Sequence, residues 1–512
     1  MTGNIRSDYK KLMVRTKDLI VLQSAESIIH WDMETMMPPK AVEQRSQQLA
    51  LLSRIKHKMS TAPQTGKLLN AITASPQYDA LGEVEKRNVY LTKRNYDEQN
   101  QLPEKLVSET AKQQAITVNT WRKAKAAKTF AILKHELEKL VALKKQTAEI
   151  LMQVKQTRTP YDALIDIYEP KMTTEVITAT FNQLQQGLNV LLEKSQNTAQ
   201  NQPDQTILHI NIPAETQRKV ARALTQTLGY DTTSPNACGK IDETEHPFTS
   251  GYYDDVRVTT HYHTDSYTSS IFSVLHETGH ALYEQNLNQN WKYQPAGSTC
   301  SYGIHESQSR LYENIIGRSR EFWTHWLPQL KQITTPALAN VELDQFVHAI
   351  NMVKPSKIRI EADEVTYNLH VIIRFQIERD LFTDRIDVSE LPEIWNQKYK
   401  KQLGVNVEND SEGVMQDTHW ASGFYGYFPT YALGNIYSGQ LLDALAKDIP
   451  DWRRQIAIGN LRNIEGWLVK NVHSNGDLYE PADLIRRITG KKLDANPYLG
   501  YLQEKYSGLY GF

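Results

Sequence analysis

The stretch His276-Glu277-Thr278-Gly279-His280 holds two imidazoles four residues apart, with a carboxylate beside the first. On a helix this spacing puts both histidines on one face, one turn apart, where they can grip one ion while Glu277 reaches a water molecule next to it. Imidazole nitrogen is a good ligand for Zn²⁺, and a hydrolytic zinc site takes three protein ligands and leaves one position open. His276 and His280 therefore read as metal ligands and Glu277 as general base. The flanks Ile271, Phe272, Val274, Leu275, Ala281, Leu282 and Tyr283 are apolar, so the helix is built for burial. Two half-buried histidines in a core helix would be the bland alternative, but buried imidazoles need partners, and a metal supplies one. The downstream histidine of the metzincin pattern is absent, which points to a carboxylate as third ligand. Glu306 offers it, in His305-Glu306-Ser307-Gln308, at the head of a second helical stretch long enough to return antiparallel.

Helices must position these groups. Tyr9 to about Met59 reads as two amphipathic helices separated at Met36-Met37-Pro38-Pro39, with Trp31 anchoring the turn. Glu104 to Thr159 contains neither Gly nor Pro and is rich in Ala, Lys, Leu, Glu and Gln, a composition for two or three helices with breaks near Thr117–Thr120 and Lys128–Thr129. Thr173 to Lys194 is again amphipathic, and polar Ser195 to Gln205 reads as an exposed loop. Ile207–Ile212 and Val256–Tyr262 alternate like short strands, which predicts a small sheet beside the zinc helix whose edge could take an extended peptide. Of the 24 glycines, 6 precede Lys240 and 18 follow it, so residues 1–205 read as mostly helical scaffold and groove wall, and 206–512 as the catalytic part. Gly279, inside the zinc helix, costs roughly 1 kcal/mol against alanine and is either a tolerated accident or a point of close approach.

At 512 residues, with 40% hydrophobic and 23% charged residues and a net charge of −1, the composition is that of an ordinary soluble globular protein. Nothing in that charge suggests nucleic acid. No apolar run has membrane length and the first residues lack a secretory core, so the expected location is cytoplasmic. Cys238 and Cys300 cannot make a disulfide framework and are expected to be buried thiols.

Further stretches gather polar groups: His246-Pro247-Phe248, Asp255-Val256-Arg257-Val258-Thr259, Ile358-Arg359-Ile360-Glu361-Ala362-Asp363, Gly413 to Trp420, and Gly426 to Gly434. Together with the histidine motif, and with Trp31-Asp32 and Gly466-Trp467 towards the two ends, they make the chain resemble the carboxypeptidase Taq (M32) family of metallocarboxypeptidases over nearly its whole length. The resemblance implies a mainly α, elongated single domain over 1–512, a deep groove with zinc at its floor, and a homodimer. A divalent ion such as Co²⁺ is a possible substitute for the zinc. It also implies release of C-terminal residues one at a time from peptides, with broad specificity and poor action at proline.

On this reading Tyr427 and His419 are candidates to stabilise the oxyanion, with Tyr431 in reserve. Arg359 is the first candidate to recognise a terminal carboxylate and Arg257 the second, because a planar fork can bind both oxygens. Either could instead brace the cleft by pairing with Asp363 or Asp255. His246, Gln416 and Tyr431 are further candidates to hold substrate. The rivals are a zinc oligopeptidase or dipeptidyl carboxypeptidase and, in another class, a helical scaffold protein with a structural zinc.

Overall fold

The computed structural model describes residues 4–198 and 203–512. Among the described residues nine α-helices precede the first strand: α1 Ile5–Thr35, α2 Val42–Ser60, α3 Pro63–Thr73, α4 Glu83–Gln101, α5 Glu104–Ala127, α6 Ala131–Lys155, α7 Pro160–Tyr168, α8 Thr174–Asn197 and α9 Ala214–Thr227. Local chemistry sets their ends. Pro38 and Pro39 separate α1 from α2, and Lys128 turns left-handed (φ 55°) between α5 and α6. Thr159 caps α7 by accepting from the Asp162 amide at 3.1 Å, with Pro160 at the first helical position.

Three strands follow, β1 Gly239–Glu243, β2 Thr249–Tyr252 and β3 Asp255–Thr260. β3 is central, parallel to β1 (Gly239 opposite Val256) and antiparallel to β2 (Thr249 opposite Val258). Val256 and Val258 are buried on the side where α10, Tyr267–Gln285, packs. α11, Tyr302–Arg310, packs on α10 and runs on into a π-helical turn, Leu311–Ile316. After α12 Arg320–Thr334 and α13 Leu343–Ile350 come α14 Tyr367–Phe382, α15 Leu391–Leu403 and α16 Pro429–Asp448, and four further helices end at Tyr510. α16 packs on the face of α11 that carries Glu306.

One large core joins residues from Ala124 to Tyr510. A small separate one, Ile5, Tyr9, Leu12, Leu69, Ile72, Leu81 and Val89, holds α1, α3 and α4 together. A cavity of about 370 Å³, lined by Arg94, Tyr168, Glu284, Tyr302, His305 and Asp477 among others, opens beside α10 and α11. Arg94 and Asp477 also border a second cavity, of about 310 Å³, beneath α1. The mainly helical fold with a small sheet beside the histidine helix is the one the sequence implied.

Four expectations need correction. Ile207–Ile212 is not a strand: Thr206–His209 is a 3₁₀ turn, started by Asp204, which accepts from the Thr206 amide and hydroxyl at 2.9 Å each. Ile207 and Ile212 bury themselves without a partner strand, so alternation there reports burial alone. Second, α5 does not break at Thr117–Thr120, because Thr117 and Thr120 hydroxyls bond back to the carbonyls of Gln113 and Ile116 (2.8 and 2.9 Å) within a continuous helix. Third, the loop expected over Ser195–Gln205 is still helical to Asn197, and residues 199–202 lie outside the described part. Fourth, Cys300 is buried but Cys238 is only half-buried.

Candidate active site

α10 is buried on most of its surface, and its one wet edge carries His276 and His280. Ser301 caps α11 by accepting from the Ile304 amide at 3.0 Å, which sets the phase that turns Glu306 towards that edge. Close contact between the two helices depends on glycine. A Cβ at Gly279 would lie 2.7 Å from the Gln308 carbonyl oxygen and from Ser309 Cα, so this glycine is a point of close approach.

Three donor atoms converge. Glu306 Oε2 lies 3.7 Å from His276 Nε2 and 3.4 Å from His280 Nε2, and the ligand atoms of all three residues fall within 4.8 Å of one another. Both Nδ1 atoms are engaged elsewhere. His276 Nδ1 meets Glu313 Oε2 at 2.8 Å, and Glu313 sits in the π-helical turn that extends α11. His280 Nδ1 meets His305 Nδ1 at 2.5 Å, and His305 Nε2 meets Glu284 Oε1 at 3.0 Å. If both Nδ1 atoms carry the proton, every one of these contacts has a donor and an acceptor, and both Nε2 lone pairs point at the same space as Glu306.

Electrostatics agrees with that reading for Glu306 and His280, while at His276 the carboxylates favour a proton, which a bound cation would replace. Burial works against the Glu306 carboxylate, but Arg310 (Nε to Oε1, 2.7 Å) and the two histidines hold it well below the usual range. Burial and neighbouring His305 push His280 down to about 3. Burial also opposes protonation of His276, but Glu306 and Glu313 outweigh it and raise its pKa. An ionised carboxylate, one firmly neutral imidazole and a second balanced between two carboxylates are a donor set for a divalent cation. The residues therefore fit a metal. Glu277 stands outside the triad, buried, and burial pushes its carboxyl up. The Thr249 hydroxyl of β2 donates to Glu277 Oε2 at 2.6 Å and fixes its rotamer from the sheet side.

Arg359 is 5% exposed and lies behind a ring of aromatics. Its Nε and Nη2 donate to Asp417 Oδ1 (3.1 and 2.8 Å) and its Nη1 to the Tyr367 hydroxyl (2.9 Å). Among the described residues three of the five N–H groups of this guanidinium are thus used and two remain. Asp417 also takes Arg374 Nε on Oδ2 at 2.7 Å, so two arginines share one carboxylate and the cluster keeps a net positive charge. Tyr367 connects this cluster to the triad, because Arg310, which holds Glu306, stacks over its ring at 4.1 Å.

The partner of Arg359 is therefore Asp417. Asp363 caps the turn after it instead, accepting from the Val365 and Thr366 amides at 2.9 and 3.0 Å. Arg257 pairs through two bonds with Asp255 (2.7 and 2.8 Å) and lies over Trp31. Gln416 is committed to the scaffold: its oxygen accepts from the Arg359 amide (2.9 Å) and Arg374 (2.7 Å), and its nitrogen donates to the Lys357 and Glu412 carbonyls. His246 is exposed on the loop between β1 and β2.

Tyr427, Tyr431 and His419 cluster between Arg359 and the triad. His419 Nε2 is 3.1 Å from the Tyr431 hydroxyl, and the Tyr427 and Tyr431 rings are 5.3 Å apart. Both phenols are pushed up by burial, and both feel the Glu306 charge. Burial drives His419 down to about 3, so it is a neutral donor or acceptor. Sequence reasoning assigned no role to Glu284, Arg310, Glu313, Tyr367, Arg374 or Thr249. Only the helical spacing of Arg310 and Glu313 from Glu306, on one face, could have signalled two of them.

A family model described as carboxypeptidase Taq (M32) metallopeptidase matches residues 11–506. Thermostable carboxypeptidase 1 of Thermus thermophilus is 37% identical over 511 residues, covering 98% of this chain and 99% of that one. Carboxypeptidase 1 of Bacillus subtilis is 37% identical over 487 residues, with 95% of each chain covered. The crystal structure of the M32 carboxypeptidase from Deinococcus radiodurans R1 superposes with a TM-score of 0.94 at 32% identity, covering 99% of this chain and 100% of that one. A scaffold protein with a structural metal is excluded by this membership. The chain belongs to the carboxypeptidase Taq family of metallopeptidases and is a peptide hydrolase.

Proposed function

We propose that the protein is a zinc carboxypeptidase that releases C-terminal residues one at a time, with His276, His280 and Glu306 as the ligands. The observation that carries this reading is Arg359, a buried guanidinium with two free N–H groups in a net-positive cluster, joined through Tyr367 and Arg310 to the metal triad. A buried fork of this kind suits a substrate's terminal carboxylate. Arg257, already spent on Asp255, and Gln416, spent on the scaffold, are assigned bracing roles, and His246 is left as an outer contact for substrate.

When bound, the zinc ion supplies Lewis acidity to the scissile carbonyl and to a water molecule. Glu277 takes the proton of the attacking water at its carboxylate and delivers it to the leaving amine nitrogen. Thr249 keeps that carboxylate aimed. Tyr427 and neutral His419 donate to the carbonyl oxygen as it gains charge, without adding a full charge of their own, and Tyr431 orients His419. Arg359 fixes the terminal carboxylate, so the bond at the triad is the last one in the chain. β2 is a sheet edge, which supports holding the peptide extended beside Glu277.

Family membership further supports one peptidase domain over 1–512, broad specificity with poor action at proline, and a homodimer. Among the described residues no helix is long and apolar enough to cross a membrane; the setting we propose is cytoplasmic. One incubation distinguishes this reading from an oligopeptidase or dipeptidyl carboxypeptidase. Mass spectra of a free-acid peptide should show a ladder of single-residue losses from the C-terminus, and the amidated peptide should be nearly inert. Internal fragments or losses in pairs would overturn it.

A further inference from the structure

His419 and Tyr427 lie on residues 404–428, a connection between α15 and α16 that contains neither helix nor strand. Side chains that must meet a reacting atom cannot depend on a loose loop, so something has to fasten this one. α5 bonds to its backbone through Trp121, Lys125 and Gln114, which donate to the Met415, Gln416 and Ser422 carbonyls, and α14 adds fastenings from two residues one turn apart. Arg374 takes Gln416 and Asp417. Glu378 takes the other end: the Trp420 indole Nε1 donates to its Oε1 at 2.8 Å, and the Gly426 amide donates to its Oε2 at 2.8 Å. The Tyr161 hydroxyl of α7 adds a third bond to Oε2 at 2.8 Å. Trp420 directly follows His419, and Gly426 directly precedes Tyr427. Each proposed oxyanion donor is therefore one peptide unit from a group bound to the same carboxyl.

That carboxyl is fully buried, and among the described residues no cation pairs with it. Three donors, two from this connection and one from α7, suit a group with two acceptor oxygens, and a glutamine would offer one. Gly426 is further constrained by a left-handed φ of 82°, and a Cβ there would come within 2.7 Å of the α7 backbone at Ile165 N. The segment thus approaches α7 as closely as a backbone can, with Glu378 beneath it. Between the two pinned points Phe424 is exposed, while Ala421 and Tyr425 are buried and Gln114 of α5 donates to the Ser422 carbonyl at 2.8 Å.

We propose that Glu378 is a positioning residue for the reaction: by tying Trp420 and Gly426 to one point on α14 and α7, it holds His419 and Tyr427 in register at the metal centre. This rests on the reading of those two groups as oxyanion donors. Glu378 touches no reacting atom and acts through them.

The test uses the metal-loaded full chain. Glu378→Gln should lower kcat about 10- to 100-fold with KM little changed, leave metal content at the wild-type level, and speed amide exchange in 418–428 but not in α10 or α11. In a Tyr427→Phe background the same substitution should cost less than it does alone, because the group it positions has gone. A purely structural role would give equal losses in both backgrounds, and that result, or unchanged exchange in 418–428, overturns the proposal. Trp420→Phe deletes one donor and keeps the ring, so it serves if Glu378→Gln does not fold: it should lower kcat by a smaller factor, again less so in Tyr427→Phe, and wild-type kcat overturns the idea. Full activity of both Tyr427→Phe and His419→Ala would sink the donor assignment itself, while amide exchange in Glu378→Gln still decides whether the segment is pinned there.

Discussion

Arg359→Lys separates recognition of the substrate's end from bracing of the cleft. The substitution removes more than one thing. Asp417 loses both bonds to its Oδ1, and the Tyr367 hydroxyl loses its donor. Activity on one substrate would therefore mix a damaged cluster with a lost carboxylate contact. Comparing a free-acid peptide with its amide in both enzymes cancels the damage, which is common to the two substrates. A charge-assisted, two-pronged contact contributes roughly 1.5–3 kcal/mol, or about 10- to 150-fold in kcat/KM. Wild type should prefer the acid by about that factor. The lysine variant should lose most of the preference, since one ammonium replaces a planar fork. Equal losses on acid and amide would show that Arg359 only holds Asp417, and the reasoning from its two free N–H groups would be wrong.

Glu277→Gln should keep its metal and lose about 10²- to 10⁴-fold in kcat, because Glu277 lies beside the triad and not in it; metal analysis with a peptide assay checks both halves, and substantial activity refutes the base assignment. Glu306→Ala should lose zinc to a chelator that leaves the wild type loaded, whereas Glu284→Gln, which disturbs only the chain from His305 to His280, should weaken affinity about 10- to 100-fold; wild-type affinity in either would discard that residue's role. Glu169, fully buried, takes the Tyr437 hydroxyl at 2.8 Å and the Gly303 amide at 3.0 Å, and burial pushes it up to about 7 from 4.5. A raised carboxyl binds more protons folded than unfolded, so its contribution is complete below pH 4.5 and is lost as pH rises to about 7, on the order of 3 kcal/mol in all. Glu169→Gln should therefore flatten the fall in thermal stability between pH 5 and pH 7.5, and an unchanged slope would show that the group is already ionised.

That His276 and His280 share an edge was legible because a helix converts a four-residue spacing into a shared face, and the apolar flanks of α10 say that the rest of the helix meets protein. Glu277 was legible for the same reason. What the spacing could not show is how the pieces are held. Arg359 could be chosen as a fork for carboxylates, but its partner could not: Asp363 is four residues away and Asp417 is 58 residues away, and only the packing of α14 under the 404–428 connection makes the distant one the neighbour. Gln416 looked like a substrate contact because it sits in a polar motif. Four internal bonds commit it elsewhere. The strands failed differently, since β1 and β2, GKIDE and TSGY, carry glycines and little alternation, and they pair because β3 lies between them.

Glycine supplies the remaining step, because the place of a third ligand is a matter of backbone separation. α11 lies between two helices that each present a glycine to it. A Cβ on Gly279 would sit 2.7 Å from Ser309 Cα, and one on Gly434 of α16 would sit 2.5 Å from Glu306 Cγ. Neither distance can be met by a real Cβ, and at Gly279 the opposing atoms are backbone, which cannot swing away. Gly279 weakens α10 by roughly 1 kcal/mol relative to alanine. The approach it permits brings Glu306 Oε2 to 3.4 Å from His280 Nε2. An alanine would move α11 bodily, and with it Glu306, Arg310 and Glu313 together, since all three ride on the same helical stretch. The histidine pattern therefore names two of the proposed ligands, and the glycine within it sets how near the third can come.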